Sequence, residues 1–269
     1  MTGYLMSVWR CRYFWMSLVR MDLRTRYRRS ILGLGWSLLN PIAMTITLCV
    51  VFHTILGMPV RTYAPYLITG LVAWNFILTA TLQGCQCFFQ AESYMRQHPA
   101  PLAIYPLRTA LGGSIHLLFA LVVVLGLTFA MSRWGGEPVL TGFSNPVALL
   151  SLIPALLLLF LFAWSLAVLA GCANVHFQDT QHLAEVGFQM LFYATPIMYR
   201  LEDLHSEKLV RLLGLNPLWY VLSLFRDPIL HGQIPSLNTY AIATALTGVT
   251  LLAAIVTLAR LQRRLIFHL

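Results

Sequence analysis

The sequence predicts an all-α membrane protein: six transmembrane helices, a basic amphipathic helix before the first, and two short helices before the last. Three observations predict it. Apolar residues make up 58% of the 269 and charged residues only 10%, whereas a soluble domain keeps about a quarter of its residues charged to face water. Six stretches reach or approach the roughly twenty apolar residues that carry a helix across a hydrocarbon core. The Lys and Arg residues gather on alternate sides of those stretches, as the positive-inside bias requires.

Residues 1–34 form the first element. Cys11, Phe14, Leu18 and Met21 recur at helical spacing, and Arg10, Arg20 and Arg24 fall roughly opposite. An arginine-rich, aromatic helix of this kind lies on the cytoplasmic membrane surface. The spans follow at 36–57, 66–89, 107–131, 147–173, 183–199 and 239–259. The first is too long for the apolar part of a signal peptide and has no small-residue cleavage site after it. The fourth carries Ala163, Ala167 and Gly171 four residues apart, a stripe along which another helix can approach closely. The fifth is short and runs into Pro196.

Between the last two spans, 200–238 is apolar only in pieces. Leucines in 201–213 are interrupted by Glu202, Asp203, Glu207, Lys208 and Arg211, and a second piece, 218–225, is closed by Arg226-Asp227-Pro228. Neither piece is long enough to cross about 30 Å, so two short helices in the outer interface are expected. With the N-terminus in the cytoplasm, twelve of the eighteen Lys and Arg residues fall inside, and both ends are cytoplasmic. No internal repeat divides the chain, which reads as one membrane domain.

Composition and motifs exclude most chemistry. A +9 formal charge belongs here to loops and ends. No zinc-finger or helix-turn-helix spacing and no basic stripe on a polar helix points to nucleic acid. Cys11, Cys49, Cys85, Cys87 and Cys172 have neither disulfide nor zinc-ligand spacing and read as small apolar residues. A Walker A loop needs a lysine after glycine, and the single lysine, Lys208, follows Ser-Glu. No Asp-x-x-Asp, His-Glu-x-x-His or Gly-x-Ser-x-Gly occurs; Ser114 is expected to pack a helix, and His53 and His116 to be neutral and bonded to a neighbouring helix. His176 and His182 flank Asp179 at a spacing that suits no metal. The acids nearest the spans, Asp179 and Glu185, sit at the cytoplasmic boundary, whereas ion-coupled carriers place theirs near the midplane.

The order of features resembles a known family. The stretch 23–41, through Arg28-Arg29, Gly33-Leu34-Gly35-Trp36 and Asn40-Pro41, is similar to the start of ABC-2 type permeases that export polysaccharides. Asn174-Val175-His176-Phe177-Gln178-Asp179, Ala194-Thr195-Pro196-Ile197-Met198-Tyr199 and Leu215-Asn216-Pro217-Leu218-Trp219-Tyr220 fall where that family places its later motifs. Gln178 departs from it, standing where the family often carries Arg. The resemblance covers nearly the whole chain.

It implies a homodimer bound to two copies of a separate ATPase subunit, in the bacterial inner membrane. ATP and Mg would sit on that subunit, and no cofactor on this chain. The substrate it implies is a polysaccharide on a lipid carrier such as undecaprenyl diphosphate: O-antigen of lipopolysaccharide first, with capsule, teichoic acid or a small hydrophobic compound as alternatives. Within that frame, the cytoplasmic link 90–105, with Glu92, Arg96, His98, Pro99 and Pro101, is expected to dock on the ATPase. Arg24, Arg26, Arg28 and Arg29 are expected to receive the anionic head group, since clustered guanidinium groups suit phosphate. Trp74, Phe76, Phe188, Phe192 and Tyr193 are the candidates to stack on sugar rings along the passage.

Overall fold

A computed structural model describes residues 2–28, 33–97, 100–133, 145–201 and 206–261. Helices form its framework, and no strand occurs among the described residues. Five are long and apolar enough to cross a membrane: α3 (Trp36–Leu56), α4 (Val60–Gln86), α6 (Ile104–Arg133), α8 (Leu152–His176) and α12 (Leu237–Leu261). Shorter helices lie between and before them: α1 (Thr2–Arg10), α2 (Arg12–Tyr27), α5 (Glu92–Gln97), α7 (Pro146–Leu150), α9 (Thr180–Ala194), α10 (Glu207–Gly214) and α11 (Pro217–Arg226).

The fifth expected span is the one that falls short. Helix α9 has 15 residues, about 22 Å at the α-helical rise, because the chain leaves the helix at Thr195-Pro196. Proline offers no N–H to continue the ladder and pushes the residue before it into extended backbone; Thr195 has φ −99° and ψ 134°.

Helix α4 is the centre of the fold. It is buried along most of its length and packs against α3, α6, α8, α9 and α11. Its most extensive contact is with α8, and glycines set it. A Cβ on Gly84 would come within 2.5 Å of the Ala167 backbone, and one on Gly171 within 2.7 Å of the Gly84 carbonyl. The small-residue stripe of α8 is thus the seam on which α4 sits. In lipid this close approach matters more than apolarity, because there is no hydrophobic drive between helices and van der Waals contact must hold them.

The N-terminal segment breaks at Cys11 into α1 and α2, and α2 lies against the start of α6. Leu18 and Val19 are buried, while Met21 is exposed rather than on the apolar face. Phe14 meets the Tyr94 ring of α5 edge-on at 6.4 Å. Asp22 pairs through both carboxylate oxygens with the buried Arg108 of α6.

The segment before α12 contains two short helices of different character. No residue of α10 is buried. In α11, by contrast, Leu218 and the run from Val221 to Arg226 are buried, against α4, α8 and α12. Asn216 starts α11: its side chain accepts from the Leu218 N–H at 3.0 Å, Pro217 takes the first helical position, and its amide donates to Thr195 Oγ1 at 2.8 Å. One side chain therefore caps one helix and ties it to the end of another.

Candidate substrate and coupling sites

Three aromatic candidates meet. The buried Trp74 of α4 lies edge-on to Phe188 (5.7 Å between ring centres) and tilted against Phe192 (5.8 Å), both on α9. They line a cleft of about 210 Å³ with Asn40, Pro41 and Met44 of α3, Leu71, Asn75 and Leu78 of α4, and Glu185 and Gln189 of α9. Phe76 is elsewhere. Two residues on from Trp74, it points to the other side of α4 and lines a second cavity of about 290 Å³ with Gly113 and His116. Asn40, Pro41 and Asn75 border both spaces. Tyr193 touches the edge of Phe192 at 5.5 Å but is 58% exposed on the outer side of α9.

The arginines sort by helical register. Arg20, Arg24 and Arg28, spaced four apart, line one groove of about 900 Å³ with Tyr13, Met16 and Ser17. Arg26 lies within α2, but its side chain, like the whole of Arg29, is outside the described residues. Arg20 is thus a member of the face that spacing by charge cluster alone did not select.

In the link 90–105, α5 begins with Glu92 and ends its exposed face with Arg96, paired at 2.7 Å; a solvent-facing pair of this kind contributes little, about 0.3–0.5 kcal/mol. His98 and Pro99 are outside the described residues, and Pro101 is half-buried. What anchors the link is apolar: Phe88, Ala91, Met95, Leu102 and Tyr105 are buried in a cluster with Val168, Cys172 and Val175 of α8 and Ala254 and Leu258 of α12.

The histidines hold local partners. His53 bonds the Met58 carbonyl at 2.8 Å and His176 the Cys172 carbonyl at 2.9 Å, so His53 closes the turn after its own helix instead of reaching a neighbouring one. Ser114 donates back to Ala110 O at 2.8 Å. No group of metal-ligating side chains occurs among the described residues.

On the opposite end, Arg226 is buried at 3% exposure. It donates to Pro196 O at 2.7 Å and Ile197 O at 3.1 Å. The Tyr66 hydroxyl of α4 shares its one proton between Pro196 O at 3.0 Å and Tyr199 O at 2.9 Å. The carbonyls freed where α9 stops are therefore taken up by α4 and α11, as buried backbone groups must be.

Residues 13–230, from α2 to the turn after α11, match the model of the ABC-2 type transporter family. The chain belongs to that family. Among curated relatives, this ABC-2 transporter chain is 23% identical over 214 residues to the O-antigen export system permease protein RfbA of Klebsiella pneumoniae, covering 79% of this chain and 78% of the relative. It is 24% identical to a protein of the same name from Myxococcus xanthus, over 88% of each. It is 23% identical to the polysialic acid transport protein KpsM of Escherichia coli, over 84% of this chain and 86% of that one. The all-helical fold with five long apolar helices is that of a multi-pass membrane transporter.

The residues missed by sequence reasoning in this ABC-2 transporter chain are the polar ones of the cleft: Asn40, Asn75, Glu185 and Gln189. A signal was available. Amides are costly in apolar helices and face an interior space when they occur, but only tertiary structure brings three helices' amides together.

Proposed function

We propose that this chain is the membrane subunit of an ATP-driven exporter of a lipid-linked polysaccharide, most closely O-antigen of lipopolysaccharide. The observation that carries the reading is that relatives covering about four-fifths or more of the chain are named for O-antigen export or polysialic acid transport, and both cargoes are long glycans. The cleft agrees in chemistry: rings of Trp74, Phe188 and Phe192 beside amides form a surface suited to sugars, apolar with a few placed polar groups.

In this reading two copies of the chain work with two copies of a separate ATPase subunit, which holds ATP and Mg. The link 90–105 docks on that subunit through Glu92, Arg96, His98, Pro99 and Pro101. Its apolar anchoring to α8 and α12 supports the transmission of a push into the bundle. Arg24, Arg26, Arg28 and Arg29 receive the diphosphate head group, with Arg20 on the face of Arg24 and Arg28, and α2 lies on the inner membrane surface. Helix α9 serves as the sixth span, completed by the chain to residue 199, which keeps both ends of the protein cytoplasmic. Leu183, Val186 and Met190 stay exposed on the face of α9 away from the cleft, an apolar surface for the second copy or for lipid.

Deleting the gene in its own host tests this. Loss of surface polysaccharide, with lipid-linked chains accumulating inside, is the expected outcome and identifies the cargo. An unchanged surface without internal build-up would leave the small-compound permease as the better account.

A further inference from the structure

We propose that the cleft between α3, α4 and α9 is a subsite for uncharged sugar rings, with Asn40, Asn75 and Gln189 as its hydrogen-bonding groups. The proposal rests on the export reading and adds to it the chemical class of the glycan.

Among the described residues the amides of this cleft have no partner. Asn40, Asn75 and Gln189 come from three different helices, line one cleft, and make no hydrogen bond among the described residues. An unpaired amide in an apolar medium costs several kcal/mol, so polar side chains inside membrane helices face a partner or a wet space. Here they are sorted. The outward faces of the same helices carry Ile46 and Val50 on α3 and Leu183, Val186 and Met190 on α9. Asn40 and Asn75 also border the second cavity, with Thr79 and His116, so the polar track continues around α4 toward α6.

A sugar ring matches what lines this space. Its hydroxyls both donate and accept, as does an amide, which offers two N–H donors and a carbonyl. Its C–H faces lie on aromatic rings, and Trp74, Phe188 and Phe192 present such rings to the same cleft.

Charge then selects among sugars. Among the described residues no basic side chain lines the cleft, and the ionisable residue that does is Glu185. Glu185 accepts from Gln181 at 3.1 Å and lies 3.6 Å from His182. A uronate or sialate carboxylate entering here would meet the Glu185 carboxylate, while His182 stands outside the lining and no cation stands in it among the described residues; repulsion grows as the surroundings become less polar. The lining therefore favours neutral pyranoses over an acidic polymer of the sort in the Escherichia coli relative's name.

The test uses the full transporter in its own membrane. A benzophenone side chain is placed at position 189 or 75, and, as controls, in place of the exposed Ile153 of α8 and Val249 of α12. After irradiation, adducts on this chain are probed for glycan by periodate oxidation and hydrazide labelling. The expected result is a glycan adduct at 189 and 75 and none at 153 or 249. Asn75→Leu with Gln189→Leu should lower export about thirtyfold, the equivalent of two lost hydrogen bonds of ~1 kcal/mol each. The exported polymer should contain no uronic or sialic acid. Adducts at 189 only to lipid or to a second copy, while export proceeds, would overturn the subsite and leave the export reading intact. Acidic sugars in the polymer would overturn the class assignment. If the export reading itself is wrong, the deletion strain keeps its surface polymer and no position yields a glycan adduct.

Discussion

The Arg226 guanidinium sits 3.8 Å from the centre of the Tyr66 ring, and both side chains donate to the same carbonyl, that of Pro196. A cation over a ring face is worth about 2 kcal/mol when desolvated, and a hydrogen bond from a charged group adds about 1.5–3 kcal/mol. Burial pulls the Arg226 pKa below its usual value, but guanidinium starts so high that it stays charged.

Replacing Arg226 by alanine should therefore destabilise the protein by about 3 kcal/mol or more, read as a lower midpoint of thermal unfolding in detergent. Arg226→Lys should recover little, since an ammonium cannot reach two carbonyls in a fixed fork. Gly70 adds a cleaner check: a Cβ there would collide with the Arg226 guanidinium. Gly70→Ala should cost about 1–3 kcal/mol by overpacking and nearly nothing in the Arg226→Ala background. Additive effects would show that the two positions do not share this space.

The pair Asp22–Arg108 joins α2 to α6. Arg108 is buried while Asp22 is 38% exposed on its side chain, so solvent screening reduces the pair's contribution to stability. Reversing either charge should release α2 and lower export several-fold, because like charges then meet at a half-buried contact. Asp22→Arg combined with Arg108→Asp should restore half or more of the export lost. Export measured as surface polymer checks both. Two single reversals without effect would make this contact incidental.

Small residues on the α4–α8 seam make a graded prediction. Gly171→Ala pushes a methyl toward the Gly84 carbonyl, the Phe88 ring and Cys87 Sγ; Gly84→Ala pushes one into the Ala167 backbone. Both meet backbone first, but the Gly84 methyl meets two backbone atoms and Cβ of Ala167 within 2.8 Å, whereas two of the three nearest atoms to the Gly171 methyl belong to side chains at 3.0 Å or more; Gly84→Ala should be the worse of the two, each costing about 1–3 kcal/mol. Gly112→Ala on α6, with nothing within 4 Å of the added atom, serves as the neutral control. Folded yield after detergent extraction ranks the three.

How much of this was legible follows from the range of each interaction. Five long helices were readable because a membrane span is written in consecutive residues, and the resemblance ordered them. The stripe Ala163, Ala167 and Gly171 was visible, but its meaning depended on Gly84, about eighty residues earlier. Arg226 read as a polar stop beside Asp227 and Pro228; its burial follows from carbonyls at 196 and 197 that only the end of α9 makes available. Trp74 and Phe76 looked equivalent as aromatics, yet two residues along a helix is about 200° of rotation, which puts them in different cavities. The break at Cys11 left no mark in composition.

Register also sharpens the head-group prediction. Arg20, Arg24 and Arg28 line one groove with Tyr13 and Ser17, while Leu18, Val19 and Asp22 fix the other side of α2 to the body of the protein. A diphosphate bound by a row of guanidinium groups would need that row, not the arginine count of the segment. Arg24→Gln and Arg28→Gln together should therefore block export and raise the internal lipid-linked pool. Arg10→Gln with Arg12→Gln, which removes the same charge from the same segment, should leave most of it. If attraction to the negative potential of the membrane surface were the only role, charge number would decide, and the two sets would behave alike, with salt screening both over about 10 Å. A difference between them, in cells holding equal amounts of inserted protein, assigns the phosphate contact to this face.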